Sequence, residues 1–172
     1  MTAELRQTPP AIQPISEIVL PKPALTYLDN QIPVFQVNAG SQDLCRIDFI
    51  FKAGRWQEES KLVANITAKL MKQGTEKFSS KDIADKVEFY GATIKTGAGF
   101  DNATVTVYTL NKYLEPILAL AEQVIKKPTF PEEELNIYTQ NRKAKLSVQM
   151  QKNEFMANRK IREVLFGADH VY

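Results

Sequence analysis

Between Leu44 and Lys52 apolar residues (Cys45, Ile47, Phe49, Phe51) alternate with Arg46, Asp48 and Lys52. Successive side chains of a strand point to opposite faces, so this run predicts a strand with one buried face. A few residues later the period changes. Leu62, Val63, Ile66, Leu70 and Met71 recur at helical spacing, which predicts a helix over Glu58–Gln73, with Glu58 and Glu59 near its positive end and Gly74 placed to stop it. The same switch recurs along the chain. Leu25 and Tyr27, then Ile32, Val34, Phe35 and Val37, flank Asp29-Asn30-Gln31, which has hairpin-turn chemistry. Ser79 and Asp82 have the spacing of a capping box ahead of a helix whose core face is Ile83, Val87 and Tyr90 and whose end is Gly91. Two strands follow, Ala92–Gly99 and Ala103–Thr109. Then Asn111 is placed to cap an apolar helix that closes at Lys126-Lys127-Pro128, and Pro131-Glu132-Glu133-Glu134 opens the last long helix. Strands grouped with strands and helices with helices indicate an α+β fold, a largely antiparallel sheet with helices packed on one face.

Composition narrows the function classes. With 44% hydrophobic and 24% charged residues the chain can build a core. Its 22 basic and 20 acidic residues leave a net charge of +2, which argues against nucleic acid as a partner. No apolar run approaches the roughly 18 residues of a membrane span. Met1–Pro23 holds five prolines and reads as an extended lead-in (1–23) to one α+β domain (24–172). It lacks the basic start and apolar run of a signal peptide, and either a cytoplasmic or a periplasmic setting fits. Cys45, the only cysteine, cannot form an intrachain disulfide and reads as a small core thiol. His170 is the only histidine, so this chain alone cannot build a zinc site with two histidines.

Five segments carry a resemblance: Phe51-Lys52-Ala53-Gly54-Arg55, Lys61–Thr75 (KLVANITAKLMKQGT), Tyr90-Gly91-Ala92, Lys127–Glu132 (KPTFPE) and Val164–Tyr172 (VLFGADHVY). In order and spacing they resemble the pitrilysin/insulinase family of zinc metallopeptidases, which includes the mitochondrial processing peptidases. There the counterparts are a strand ending in AGSR, a motif helix ending in KGT, a YGA-like link, a phenylalanine-containing helix start and an LYGxxHPY turn. The resemblance implies a His-x-x-Glu-His motif on the first helix. Residues four apart share a helix face, so two histidines can hold one zinc, and the glutamate serves as base on the metal-bound water. A third ligand, a glutamate on a later helix, completes that site.

Matching Gly74-Thr75 to the family's GT puts Asn65 and Lys69 at the two histidine positions and Ala68 at the general base. The third ligand falls near Lys145, in a stretch from Asn136 to Lys152 that contains no Asp or Glu. By this match the chain has no catalytic residue and no metal ligand of its own, and Lys69 and Lys145 repel a dication. The resemblance therefore implies a degenerate, non-catalytic member, with zinc expected only in a catalytic partner subunit or a second half of the same protein. Such a pair would enclose a chamber for unfolded peptide, this chain forming wall and strand edge. Two alternatives stay open: part of an active zinc peptidase whose catalytic half lies elsewhere, and a purely structural subunit of a larger complex. Family domains are longer than this chain and come in pairs, so a fragment of the first domain is expected.

The remaining candidates read more plainly. His170 could be a lone metal ligand or acid–base group, but by the resemblance it belongs to the structural turn; Trp56 could line a substrate cavity, but an aromatic in a loop more often packs beneath it. Asn65 with Lys69 could bind a substrate carboxylate or carbonyl, or form a solvated face. Arg159, Lys160 and Arg162 read as helix surface. Gly97-Ala98-Gly99 lacks the following Lys-Ser/Thr of a phosphate loop and reads as a bend or a close backbone approach.

Overall fold

The computed structural model describes residues 20–168 and His170. Apart from Leu20–Pro23 the proline-rich lead-in lies outside the described residues, as do Asp169, Val171 and Tyr172 of the C-terminal motif. The chain divides into two units, residues 1–42 and 43–172. In the first, β1 (Ala24–Tyr27) pairs antiparallel with β2 (Pro33–Gln36), Ala24 opposite Gln36 and Tyr27 opposite Pro33. The turn sits at Asp29-Asn30-Gln31 as expected. Gln31 takes φ 65° and the Asn30 side-chain oxygen accepts from the Ile32 amide at 3.2 Å.

The second unit is an antiparallel sheet with helices packed against it, an α+β arrangement. Its strands are β3 (Leu44–Phe51), β4 (Thr93–Ala98) and β5 (Ala103–Leu110), in the order β3-β5-β4. The register places Ile47 and Ile94 on either side of Val107, and Phe49 and Thr96 on either side of Val105. These side chains share one face, and there α1 (Val63–Leu70), α2 (Ser80–Phe89) and α3 (Leu114–Lys126) pack. The α3 stripe of Ile117, Leu120, Ala121 and Val124 joins Ile83, Ile94, Val105 and Val107 in a continuous buried core. Two further helices follow, α4 (Glu132–Met150) and α5 (Asn153–Phe166).

The capping box at α2 forms as its sequence predicts. The Asp82 carboxylate accepts from the Ser79 amide (2.9 Å) and hydroxyl (2.7 Å), while the Ser79 hydroxyl oxygen accepts from the Asp82 amide (3.2 Å). These hydrogen bonds to the ionised form hold the Asp82 pKa below its ordinary 3.8. A carboxyl whose pKa is depressed by folding contributes stability above its unfolded value and loses it as pH falls through the folded one. Asp82→Ala is therefore expected to lower the melting temperature most above the ordinary carboxylate value, the gap from the parent closing as the solution is acidified below it. Paired thermal melts between about pH 2 and pH 6 read this out; a gap constant across that range removes the capping role.

Four local expectations need correction. The first helix is Val63–Leu70, shorter than Glu58–Gln73. Leu62 takes φ 80°, a left-handed step that no helix path crosses, so Glu58 and Glu59 stand outside it. Asn111 does not cap α3. It opens a 3₁₀ turn, Asn111–Tyr113, and its side-chain amide donates to Asp43 Oδ1 at 3.1 Å while its backbone amide donates to the Asp43 carbonyl. Pro131 occupies the N-cap position, and the helix begins one residue later at Glu132. Phe51 is 40% exposed rather than buried, standing at the end of the edge strand β3 opposite the small Ala103; Cys45, Ile47 and Phe49 are half-buried.

Candidate functional site

The helix that carries Asn65, Ala68 and Lys69 is held at both ends. At its start the Glu58 carboxylate accepts from the amides of Leu62 (3.2 Å) and Ala64 (3.0 Å), supplying the negative charge and acceptors that a helix N-terminus needs. Glu58→Ala leaves these donors without their acceptor and is expected to cost about 1 kcal/mol, read as a lower urea midpoint with unchanged slope. No change in the midpoint would mean that water serves those amides equally well.

At its other end, Gly74 and Thr75 meet the segment that opens α4. The Thr129 amide donates to the Gly74 carbonyl (3.0 Å), the Glu76 amide to the Lys127 carbonyl (3.0 Å), and Thr75 forms a bridge with Pro128. A Cβ on Gly74 would sit 2.9 Å from Thr129 Oγ1 and 3.0 Å from Pro131 Cγ, so a larger residue there needs the Thr129 side chain to turn away and Pro131 to give by a few tenths of an ångström. Two of the five segments that carry the resemblance are thus joined in space.

Within α1, the one-turn spacing brings Asn65, Ala68 and Lys69 together on adjacent turns. Asn65 is half-buried, Lys69 exposed, and Ala68 only 4% exposed where α1 packs on β4 and β5. Lys145 lies on α4, exposed. These side chains do not fit a zinc ion: one neutral amide, a methyl group and two ammonium groups offer no anionic or imidazole donor. Among the described residues no group of three or more His, Cys, Asp or Glu comes together to hold a metal.

The loop after β3 is tied to the β4–β5 hairpin. The amides of Gly54, Arg55 and Trp56 donate to the carbonyls of Asp101 (3.2 Å), Gly99 (3.0 Å) and Phe100 (3.0 Å), and the Arg55 guanidinium lies 3.9 Å from the Phe100 ring centre. Trp56 is not tucked beneath this loop. It is 46% exposed and meets the edge of the His170 ring at 5.4 Å, while Phe166 stacks on the same ring at 5.1 Å. His170 thus sits in an aromatic contact that links the loop to the end of α5. Gly97 and Ala98 fall within β4 as regular strand positions, while the close backbone approach falls at Gly99, whose carbonyl accepts from the Arg55 amide and whose amide donates to the Asn102 carbonyl at 2.8 Å.

The face of the sheet away from the core is polar at its centre, with Leu44, Ile50 and Leu110 exposed toward its ends, and sequence reading did not single it out. Asp48 binds Arg46 Nε at 2.9 Å and accepts from Thr106 Oγ1 at 2.6 Å. Tyr108 on β5 has Arg46 from β3 at 5.3 Å and Lys95 from β4 at 5.9 Å from its ring centre. The signal was the polar half of each alternation, Arg46 and Asp48 against Thr104, Thr106 and Tyr108. The outer edges of β3 and β4 are not paired within this sheet among the described residues.

Comparison with known proteins places this geometry. The profile of the insulinase family, peptidase family M16, matches residues 34–170. The crystal structure of a peptidase M16 inactive domain from Pseudomonas fluorescens is similar at 26% identity and a TM-score of 0.79, over 85% of this chain and 36% of that one. A protease from Helicobacter pylori shares the fold at 20% identity and a TM-score of 0.58, over 67% of this chain and 28% of that one. The chain therefore spans about a third of the length of these solved structures. No curated protein matches it.

Proposed function

The chain belongs to the insulinase family of peptidases, family M16, and from that premise we propose that it is a non-catalytic peptidase-like domain working beside a zinc-bearing partner. The partner is a second subunit or another half of the same protein, and the pair encloses unfolded peptide. The observation that carries this reading is the donor set on α1. By the match of Gly74-Thr75 to the family's GT, Asn65, Ala68 and Lys69 take the ligand and base positions, and their side chains cannot hold or use zinc. The likeness to a domain described as inactive supports it. The polar sheet face and the outer edges of β3 and β4 suit a chamber wall that binds extended chain through backbone hydrogen bonds rather than through one side-chain sequence.

The test is zinc per chain by elemental analysis of protein purified without chelator, together with a peptidase assay of the chain alone and with its co-purifying partner. Absence of zinc and of cleavage in the isolated chain, with chelator-sensitive cleavage in the pair, is the expected result. Close to one zinc per isolated chain would overturn the reading. A stable complex with no effect on proteolysis would favour a purely structural subunit instead.

A further inference from the structure

Charges on the outer face of the sheet are not met equally. On β3, Arg46 is committed to Asp48, holding its carboxylate at 2.9 and 3.3 Å while Thr106 donates to the same group. On β4, Lys95 is exposed and has no carboxylate partner among the described residues. Its ammonium stands 5.9 Å from the centre of the Tyr108 ring, which already has Arg46 at 5.3 Å. Arg46 and Lys95 thus face Asp48 alone, and the centre of this face is left with an unmet cation. That cation lies on an edge strand, whose outer side is unpaired within the sheet among the described residues.

Two residues along the same strand, Gly97 leaves a gap. No atom lies within 4 Å of the place its Cβ would take, so the backbone there is bare. Across the sheet its neighbour is Thr104, and beyond Thr104 stands Ile50 of β3, 66% exposed. A glycine inside a strand marks a place where another backbone approaches closely, and a bulky side chain on a neighbouring strand covers it. Lys95 and Gly97 share one face of β4 about 7 Å apart, the interval between alternate side chains of any extended chain.

We propose that β4 selects extended peptides carrying a carboxylate two residues from a bulky apolar side chain, with Lys95 facing the carboxylate and Gly97 receiving the apolar group. This rests on the reading that the chain binds extended peptide, and it names the side chains preferred. Backbone hydrogen bonds along the edge are indifferent to sequence; the cross-strand neighbours Lys95 and Gly97 grade the peptides that make them. β4 itself contains no Asp or Glu, so a second copy of the strand cannot supply the carboxylate. The edge of β3 offers less, because Asp48 already meets the charge of Arg46.

The test is fluorescence anisotropy of short labelled peptides of Ser and Thr with a central Glu-Thr-Phe. They are added to the full-length protein, with whatever partner co-purifies, and with chelator present so that no probe is cut. Replacing the peptide's Glu by Lys should weaken binding about fivefold, and replacing its Phe by Ala about threefold. Lys95→Glu should reverse the order of the Glu and Lys peptides and leave the preference for Phe. Gly97→Val fills the gap at a position with no positive φ, and should abolish the preference for Phe while sparing that for Glu. Lys86→Glu, on the α2 helix that packs against the opposite face, should change neither. Equal binding of the Glu and Lys peptides or of the Phe and Ala peptides, an order that Lys95→Glu leaves unchanged, or no binding of any of them would overturn the inference. The two readings fail separately. Peptides bound without regard to charge or bulk keep the proposed function and remove this preference. A preference that depends on Lys95, in a protein that holds zinc on this chain or has no peptidase partner, does the reverse.

Discussion

Gly54→Val is expected to destabilise the protein by about 3 kcal/mol or more, read as a loss or deep lowering of its cooperative unfolding transition. Gly54 is buried, and a Cβ there would lie 2.2 Å from the Phe100 carbonyl oxygen and 2.4 Å from the Asp101 carbonyl carbon. All the opposing atoms are backbone, so no side chain can rotate away. Relief requires the loop to part from the β4–β5 hairpin, which sacrifices the three hydrogen bonds from Gly54, Arg55 and Trp56. The backbone at Gly54, with φ −81°, is open to any residue, so the effect is steric and not conformational. Gly54→Ala meets the same wall and should lie between the two. A valine variant as stable as the parent would mean that this loop and hairpin are not in contact in solution.

The second large effect is a gain. The combined change Asn65→His, Lys69→His and Lys145→Glu is expected to raise zinc affinity at least about 100-fold over the parent, by removing two ammonium groups and supplying two imidazoles and a carboxylate. Asn65 and Lys69, half-buried and exposed, have room for the new rings. Adding Ala68→Glu is a different matter. Ala68 is 4% exposed, so a glutamate there buries a carboxyl at a cost of ~1–3 kcal/mol and contributes no ligand. The three-residue variant should thus bind zinc as well as the four-residue variant and be the more stable; only the latter should regain water-activating chemistry. Isothermal titration with zinc and thermal melts separate these outcomes. Unchanged affinity in a folded variant would refute the alignment of Gly74-Thr75 with the family motif.

What the sequence disclosed follows how local each determinant is. The α2 capping box was legible because Ser79 and Asp82 satisfy each other within one turn. The faces of β4 and β5 were legible because alternation is a property of neighbours. The length of α1 was not, since its boundary is set by the left-handed backbone of Leu62 and by a Glu58 side chain reaching six residues ahead to Ala64. Asn111 has the chemistry of a cap, but the partner that captures it is Asp43, on the far side of most of the domain sequence. The candidate site divides in the same way. The spacing of Asn65, Ala68 and Lys69 could be read from one helix. The meeting of Arg46, Lys95 and Tyr108 depends on the register of three strands, which no single segment encodes.

The bridge between Thr75 and Pro128 bears on how this chain tolerates change. Everything from α2 to α3 leaves and returns through that one neck, where the strands of chain are pinned by hydrogen bonds on both sides of the bridge. The entropy of closing such a long excursion grows slowly, by only ~0.6 kcal/mol for each doubling of its length. Extra residues within the excursion therefore add little to the cost of closing it, except at the Gly99–Asn102 turn, whose carbonyls receive the Gly54, Arg55 and Trp56 amides. One residue inserted between Gly74 and Glu76, or between Lys127 and Thr129, shifts the pairing itself and with it the entry angle of α4. The excursion can drift in length, while the few residues at its neck set where the motif helix ends and the next long helix begins.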